Sequence, residues 1–241
     1  MSNSLTLENI SRNFGALKVL QDVAAQFTGG KITALVGDNG AGKSTLLKIM
    51  AGALAPTSGT IKLNDEEIAG LNPAHHRARG IEMVYQDLAL AKQHHVAANI
   101  FLGREIACPL TGLLKTKEMR AQTEALLEQT GIKIPQLDRP VGALSGGQQQ
   151  AIAIARALLV PPKVLLLDEP TAALAAKEVD MVLDILRQQR EKGLIIILVS
   201  HRLNDVLAIS DNIITLKHGR IFNDRKTADT NLAEIVQDIV S

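Results

Sequence analysis

The spacing of hydrophobic and polar positions changes several times along the chain, and each change marks a predicted element. Near the start, short apolar runs separated by turn residues predict antiparallel strands over residues 5–10, 19–27 and 31–36. The third run leads through a glycine-rich turn into an apolar helical pattern that we expect to end at Gly52. Further short strands are predicted over residues 61–63 and 81–85.

From residue 87 to residue 160 the strand patterns disappear and helical patterns take their place. A helix is predicted over residues 117–130, with Leu126 and Leu127 on its apolar side, and another over residues 148–159. We expect this segment to form a helical lobe inserted into the chain.

Strands and helices alternate again after residue 161, which is typical of a parallel sheet covered by helices. The expected elements are strand 164–168, helix 177–192, strand 194–200, a short helix from Leu203, edge strands 213–216 and 220–222, and a closing helix 232–240. The sequence therefore predicts one α/β domain over residues 1–241, with a core from residues 1–86 and 161–241 and an inserted lobe from residues 87–160.

Composition narrows the class of protein. The chain is 46% hydrophobic with a net charge of +1, which favours a packed core and gives no basic surface for nucleic acid. Its longest apolar run, residues 194–199, is far shorter than the ~20 residues that span a bilayer, and its first residues do not resemble a signal peptide. One cysteine, Cys108, excludes an internal disulfide and fits a reducing compartment. We expect a soluble protein that binds no nucleic acid.

Residues 37–44, Gly-Asp-Asn-Gly-Ala-Gly-Lys-Ser, match the P-loop pattern, with a predicted strand before them and a helix after them. In such a loop, Lys43 reaches the outer phosphates of a nucleotide, Ser44 ligates Mg²⁺, and Thr45 adds a phosphate contact. The alternative, a glycine-rich turn with a surface lysine, is disfavoured because strand, loop and helix agree. Backbone N–H groups wrap the phosphates, and the loop residues expected to line them are Gly37, Asn39, Gly40, Ala41 and Gly42.

Two carboxylates close the predicted strand 164–168. Asp168 stands where a carboxylate can hold Mg²⁺ through water, and Glu169 is the natural base to polarise an attacking water. Taken alone, the pair could be a solvent-facing strand end before Pro170. The presence of a P-loop favours the catalytic interpretation.

A second anion site is predicted at residues 144–150, Leu-Ser-Gly-Gly-Gln-Gln-Gln, which we call the signature segment. Ser145 and the two glycines expose backbone N–H groups where a helix begins near Gln148, and such a terminus attracts anions. A chain that already has a phosphate loop needs a separate reason for this site.

With these motifs the chain resembles, over nearly its full length, the ATP-binding subunit of an ATP-binding-cassette (ABC) transporter. The resemblance implies a P-loop ATPase fold, with N-terminal antiparallel strands and an inserted helical subdomain. It also implies that Phe14 stacks on adenine, that Gln86 contacts Mg²⁺ and the attacking water, and that His201 contacts the γ-phosphate. Taken singly, Phe14 could be a core aromatic, Gln86 a polar strand end and His201 a structural histidine. It is their order along the chain, together with the other motifs, that makes the family resemblance specific.

The resemblance also explains the second anion site. In the family, two copies pack head to tail and enclose two ATP molecules, so Ser145, Gly147 and Gln148 would contact a γ-phosphate held by the other copy. ATP then favours the closed pair of cassettes, and hydrolysis removes that preference. One departure from the family is Ala175, which stands where aspartate is frequent. It leaves open how the two ATP sites communicate.

Residues 96–105, 148–150 and 170–174 resemble carbohydrate importers of the ribose, xylose and fructose type, here as a single cassette. This implies transmembrane permease subunits as partners, a periplasmic or extracellular sugar-binding protein, and a place on the cytoplasmic face of the plasma membrane. Two alternatives stay open, an importer of another solute such as an amino acid or nucleoside, and a soluble ABC ATPase of DNA repair or translation. The charge balance disfavours the second.

Overall fold

The computed structural model describes residues 3–68 and 72–240. The chain divides into two compact units, the first made of residues 1–86, 162–172 and 189–241 and the second of residues 87–161 and 173–188. The sequence analysis placed residues 173–188 with the α/β core. They belong to the second unit because the side chains of Glu178 and Met181 lie directly against Gly147, at the start of a helix of that unit.

In chain order, the elements up to the helical unit are β1 (Ser4–Phe14), β2 (Leu17–Thr28), β3 (Lys31–Val36), α1 (Lys43–Met50), β4 (Ser58–Leu63), β5 (Glu66–Glu67), α2 (Pro73–Ala78) and β6 (Ile81–Val84). The later elements are α3 (Val96–Ile100), α4 (Thr116–Thr130), α5 (Gly146–Leu158), β7 (Val164–Asp168), α6 (Ala176–Glu191), β8 (Ile195–Val199), α7 (Leu203–Ile209), β9 (Asn212–Lys217), β10 (Arg220–Lys226) and α8 (Leu232–Val240). The predicted strand 164–168 and helix 232–240 are confirmed at both ends.

The first unit contains two sheets. A four-stranded antiparallel sheet has the order β2-β1-β4-β5, and a six-stranded sheet has the order β10-β9-β3-β8-β7-β6. Strand β3 pairs in parallel with both β8 and β9, so the prediction that residues 31–36 join the antiparallel N-terminal strands was wrong. After Lys31 every residue of this strand is buried, which is the pattern of a central parallel strand rather than of a half-exposed one. Residues 213–216 were also predicted at an edge, but β9 lies between β10 and β3.

The core of the first unit is formed by the apolar faces of both sheets together with α1. Leu46, Leu47 and Met50 of α1 are almost fully buried, in one cluster with Phe27 and Leu216. At about 25 cal/mol per Å² of apolar surface removed from water, such side chains hold α1 firmly in place. The start of α1 and the loop before it are therefore anchored on a rigid element.

Helices α3, α4 and α5 pack against one another in the second unit, and each contributes buried side chains, such as Val96, Met119 and Ile154. Asn99 is fully buried, and its amide donates to the carbonyl groups of Ala91, His94 and His95. The buried amide thus fixes the loop before α3, a short helix that the sequence analysis did not predict. Within the described ranges, no helix has the length and apolar character needed to cross a membrane.

Candidate functional site

Most of the predicted catalytic residues follow strands of the six-stranded sheet at one edge. Gly37 follows β3, Glu169 follows β7, and His201 lies just beyond β8. The register pairs Val199 with both Leu35 and Asp168, so these strand ends are level. Ligands of open parallel sheets bind at the carboxyl ends of the strands, and the described first unit brings the predicted residues together at that edge. Gln86 lies at the same edge, beyond β6, and is exposed.

The loop between β3 and α1 takes a conformation that requires glycine at two positions. Gly37 has φ 144° and Gly42 has φ 103°, values that side-chain-bearing residues rarely adopt. A Cβ on Gly37 would lie 2.2 Å from the carbonyl oxygen of Leu216, and one on Gly42 would lie 2.6 Å from Cδ2 of Leu20. Between them, Asn39 and Gly40 are exposed at the tip of the loop.

No side chain of the described residues caps the N-terminus of α1. Gly42 is the N-cap residue, no side chain accepts a hydrogen bond there, and the first turn contains no acidic residue. Nζ of Lys43 donates instead to the carbonyl oxygens of Gly37, at 2.7 Å, and Asp38, at 2.9 Å. Burial lowers the pKa of Lys43, while nearby carboxylates including Glu169 oppose this shift. Free N–H groups and a lysine folded over the loop are what a polyphosphate needs.

Ser44 and Asp168 contact each other directly at this edge. The Ser44 hydroxyl donates to Oδ1 of Asp168 at 3.0 Å, and Asp168 is 7% exposed. Burial raises the pKa of Asp168, the charge of Glu169 raises it further, and the hydrogen bond from Ser44 opposes the shift. A hydroxyl beside a buried carboxylate is an oxygen donor set that suits a hard cation such as Mg²⁺.

Glu169 has a left-handed backbone with φ 53°, and its N–H donates to the carbonyl oxygen of Val199 at 2.9 Å. Its carboxylate oxygen Oε2 lies 3.1 Å from Nδ1 of His201. Left-handed conformations of this residue type carry strain and concentrate at functional sites. The glutamate side chain is 23% exposed and the histidine 60%, so both are accessible from solvent.

Three residues that the sequence analysis did not single out hold the segment of His201 against the segment of Glu169. The Thr171 hydroxyl donates to Oδ2 of Asp205 at 2.9 Å, and Arg202 donates to the Thr171 carbonyl at 3.0 Å. Nε of Arg202 lies 3.1 Å from the same Asp205 oxygen. This Thr171–Arg202–Asp205 cluster has no local sequence signal, because its members come from two segments far apart in the chain, the turn after β7 and the start of α7.

Phe14 is 47% exposed and is therefore not a core aromatic. The guanidinium of Arg12 lies 4.5 Å from the centroid of the Phe14 ring, a cation–π contact, and its Nη1 donates to the carbonyl of Ala55 at 3.0 Å. Tyr85 was predicted within a strand over residues 81–85, but it lies beyond the end of β6 and is 40% exposed.

The signature segment lies in the second unit at the N-terminus of α5. This helix begins at Gly146, so both glycines form part of its first turn rather than preceding it. Ser145 is the N-cap and forms a capping box with Gln148: the Gln148 N–H donates to the serine hydroxyl at 3.4 Å, and the Ser145 N–H donates to Oε1 of Gln148 at 3.1 Å. The carboxylate of Glu178 belongs to a side chain that packs against this turn, and the nearby Ser145 hydroxyl and Gly147 N–H lower its pKa.

Comparisons with known proteins agree with this geometry. A family model described as ABC transporter matches residues 20–172. The xylose/arabinose import ATP-binding protein of Sulfolobus acidocaldarius is 38% identical over 241 residues, which are 100% of this chain and 95% of that protein. The ribose import ATP-binding protein of Lactococcus lactis subsp. lactis is 37% identical over 98% of this chain, but the match covers 48% of that protein. The chain thus spans about half the length of the ribose import relatives it matches.

Solved structures give the same result. A nucleotide-free ATP-binding cassette from an ABC transporter superposes with a TM-score of 0.86 at 28% identity, over 99% of both chains. A dimeric bacterial ABC transporter cassette superposes with a TM-score of 0.78 at 26% identity, over 92% of this chain and 98% of the other. The chain belongs to the ABC transporter family, whose cassettes are ATP-binding ATPases. The predicted P-loop ATPase fold is confirmed.

Proposed function

We propose that this chain is the ATP-hydrolysing subunit of a sugar importer, and that two such cassettes enclose two ATP molecules between them. The observation that carries the ATPase assignment is a grouping of five residues at one sheet edge, in which Ser44 contacts Asp168 and Glu169 contacts His201. The group consists of Lys43, Ser44, Asp168, Glu169 and His201. The choice of sugar as cargo rests on the relatives, which are named for import of xylose, arabinose or ribose.

ATP binding follows from the free N-terminus of α1. The phosphates accept hydrogen bonds from the N–H groups of the loop from Gly37 to Thr45, and Lys43 exchanges its contacts with two backbone carbonyl groups for the outer phosphates. The exposed ring of Phe14 stacks on adenine through the face that Arg12 leaves open. Asn39, Gly40 and Ala41 contribute backbone groups at the tip and base of the loop.

Mg²⁺ would be held by the Ser44 hydroxyl, by Asp168 through water and by Gln86. It supplies charge neutralisation to the β- and γ-phosphates. The Ser44–Asp168 hydrogen bond of 3.0 Å supports this assignment, since it places two oxygen donors together beside the lysine.

Hydrolysis requires a base close to the γ-phosphate, and Glu169 takes this role. Its carboxylate accepts the proton of a water whose oxygen attacks the γ-phosphorus, the bond to the β-phosphate oxygen breaks, and ADP and phosphate leave. His201 lies 3.1 Å from the carboxylate and contacts the γ-phosphate. The Thr171–Arg202–Asp205 cluster positions the histidine segment.

The signature segment completes the site of the other cassette. Ser145, Gly147 and Gln148 contact the γ-phosphate that the other copy holds, so ATP joins two copies and its hydrolysis releases them. A permease couples this cycle to transport, which brings the cassettes to the cytoplasmic face of the membrane, and a sugar-binding protein delivers the cargo on the far side.

The test is co-purification followed by reconstitution. We expect the chain to purify with a multi-span permease, and proteoliposomes supplied with ATP and a sugar-binding protein to take up a pentose or hexose. Glu169→Gln, which retains shape and loses the base, should bind ATP and lower both uptake and turnover about 1,000-fold. Uptake of an amino acid or nucleoside but not sugar would change the cargo assignment, and recovery with ribosomes or nucleic acid would overturn transport.

A further inference from the structure

Glu169 begins a tight turn whose backbone is bonded to the strand end beside it. Its N–H donates to the carbonyl oxygen of Val199 at 2.9 Å, and its own carbonyl accepts the Ala172 N–H at 3.3 Å, which closes a turn over residues 169–172. The φ of Glu169, 53°, is a conformation that a glutamate adopts at a cost and keeps only where its surroundings enforce it. The turn therefore needs contacts that hold it in place.

The Thr171–Arg202–Asp205 cluster supplies these contacts, and all three residues belong to the first unit. Thr171 is 2% exposed, so its hydroxyl has little access to water, and it donates to Oδ2 of Asp205 at 2.9 Å. The guanidinium of Arg202 bonds at two places, with Nη1 to the Thr171 carbonyl at 3.0 Å and Nε to the same Asp205 oxygen at 3.1 Å. A planar guanidinium fits two acceptors at fixed positions, and such charge-assisted bonds are stronger than neutral ones. The backbone and the side chain of Thr171 are thus both fixed to the start of α7.

His201 is attached to the same cluster. Arg202, the residue after it, donates its N–H to the hydroxyl of Ser200 at 3.1 Å, so the two residues that flank the histidine are bonded to each other. The histidine side chain is 60% exposed, so packing does little to orient it. The separation of 3.1 Å between Oε2 of Glu169 and Nδ1 of His201 therefore depends on how the two backbone segments are joined.

We propose that the Thr171–Arg202–Asp205 cluster positions Glu169 for hydrolysis, because it enforces the left-handed backbone of this residue and its distance from His201. The cluster thus acts on the base as well as on the histidine segment. Its members are positioning residues that act through Glu169 and not on ATP, so their loss should lower kcat and leave the KM for ATP unchanged. The inference rests on the proposed function, in which Glu169 is the base.

A simpler role for the cluster would be to stabilise the fold alone. Thr123 of α4 provides the comparison, because it is fully buried and its hydroxyl donates to the Met119 carbonyl at 2.8 Å, within the second unit. Thr123→Val therefore makes the same chemical change as Thr171→Val, the loss of one buried hydroxyl with one hydrogen bond. Both variants should lower the melting temperature, but only Thr171→Val should lower kcat.

The first experiment measures steady-state ATP turnover of the cassette reconstituted with its permease. We expect kcat of Thr171→Val to fall about tenfold, because a small misplacement of a catalytic group is sufficient for such a loss, and KM for ATP to stay within about twofold of the parent. Thr171→Ser, which keeps the hydroxyl, should recover kcat to within about twofold of the parent. Parent kcat for Thr171→Val overturns the proposal, and so does an equal fall of kcat for Thr123→Val.

Arg202→Lys tests the cluster at a second position, whose side chain is 34% exposed, and serves also if Thr171→Val folds poorly. Lysine keeps the positive charge but loses the planar pair of donors that joins Asp205 to the Thr171 carbonyl. We expect the same fall of kcat, about tenfold, with KM for ATP within about twofold of the parent. Parent kcat for Arg202→Lys overturns the proposal.

A double-mutant cycle tests whether the cluster acts through Glu169. Single-turnover hydrolysis of radiolabelled ATP is measured for the parent and for Glu169→Gln, each with and without Thr171→Val. The loss caused by Thr171→Val should shrink from about tenfold in the parent to less than about twofold in Glu169→Gln, since the base is already absent there. An equal loss in both backgrounds overturns the inference.

The proposed function is judged by Glu169→Gln alone. If this variant hydrolyses ATP at the parent rate, Glu169 is not the base, and the proposed mechanism and the inference are both wrong. If Glu169→Gln loses turnover while Thr171→Val retains it, only the positioning role of the cluster is wrong.

Discussion

Helices α1 and α5 both begin at glycine-rich turns, yet their N-termini are completed in different ways. Helix α1 has glycine at its N-cap, no side-chain cap and no acidic residue in its first turn. Helix α5 has a serine N-cap in a capping box, in which the side chains of Ser145 and Gln148 bond to the backbone of the same turn. One terminus lacks a side-chain cap among the described residues, and the other is capped by the chain's own side chains. The difference suits one site that binds ATP in each cassette and another that waits for a second cassette.

The largest test of this comparison is Lys43→Ala at the open terminus. Without the ammonium group, the phosphates lose charge-assisted hydrogen bonds, and we expect ATP affinity to fall about 100-fold. Isothermal titration calorimetry measures the change. Lys48→Ala, an exposed lysine on the same helix, should retain parent affinity, and equal losses for both variants would show that Lys43 has no special role.

At the capped N-terminus of α5, Ser145→Arg should separate ATP binding from ATP turnover. Its long side chain blocks the approach of the other cassette but is far along the chain from the phosphate loop. We expect ATP affinity of the monomer within about twofold of the parent and turnover lowered about 100-fold, from the loss of donors to the γ-phosphate. Gln122→Arg, on the exposed side of α4, adds the same charge as a control. A parallel loss of monomer affinity in Ser145→Arg would contradict the division of roles.

Asp168 offers a third test, in which stability and function change in opposite directions. Burial raises the pKa of this carboxyl above 3.8, so the folded chain binds its proton more tightly than the unfolded chain. By linkage, ionised Asp168 lowers the free energy of unfolding as pH rises from 3.8 through the raised folded pKa. Asp168→Asn should therefore raise the nucleotide-free melting temperature at neutral pH by about 3 °C, for about 1 kcal/mol, while Mg²⁺-dependent turnover falls.

The control for this test is Asp180→Asn, which removes an exposed carboxylate and should leave the melting temperature unchanged. The gain from Asp168→Asn should also narrow as pH falls towards 3.8 and vanish below it, where the Asp168 carboxyl is protonated in the folded and the unfolded chain alike. A gain that is independent of pH would show that the charge of Asp168 is not its cause.

The smallest expected effect comes from Arg12, beside the predicted adenine site. Arg12→Ala removes the guanidinium that lies 4.5 Å from the centroid of Phe14, and we expect ATP affinity to fall about threefold because the ring is held less firmly. Tripolyphosphate, which has no nucleobase, distinguishes an effect on adenine stacking from an effect on phosphate binding. Its affinity should not change, and a loss equal to that of ATP would assign Arg12 to the phosphates.

Sequence patterns were sufficient for elements whose buried faces are local. The uninterrupted apolar run of β7 and the amphipathic spacing of α8 gave the bounds that the structure has. Pairing was less predictable, because β3 finds its partners in β8 and β9, which lie far along the chain. The short helices α2 and α3 depend on capping by Asn72 and His95 rather than on periodicity, and they escaped prediction.

The same distinction holds for the candidate site. Lys43, Asp168 and Glu169 belong to contiguous motifs with a stated mechanism, so their grouping at one edge was expected. Asp205 and Arg12 were not identified from the sequence, since each acts through a contact with a distant segment: Asp205 with the Thr171 hydroxyl, and Arg12 with the carbonyl of Ala55. Side chains that prepare a site for its ligand carry no motif of their own.

The close packing of Gly37 against β9 determines how a substitution in this loop acts. A Cβ at that position would lie 2.2 Å from the carbonyl oxygen of Leu216 in β9, the neighbour of β3 in the sheet. At Gly40, by contrast, an added Cβ would meet nothing within 4 Å, so a substitution there carries only the backbone strain of its φ of 85°. Inactive variants of this loop would therefore have two different defects. Substitutions at Gly37 would disturb the fold and lower the yield of protein, whereas substitutions elsewhere in the loop could give well-folded protein that does not bind nucleotide.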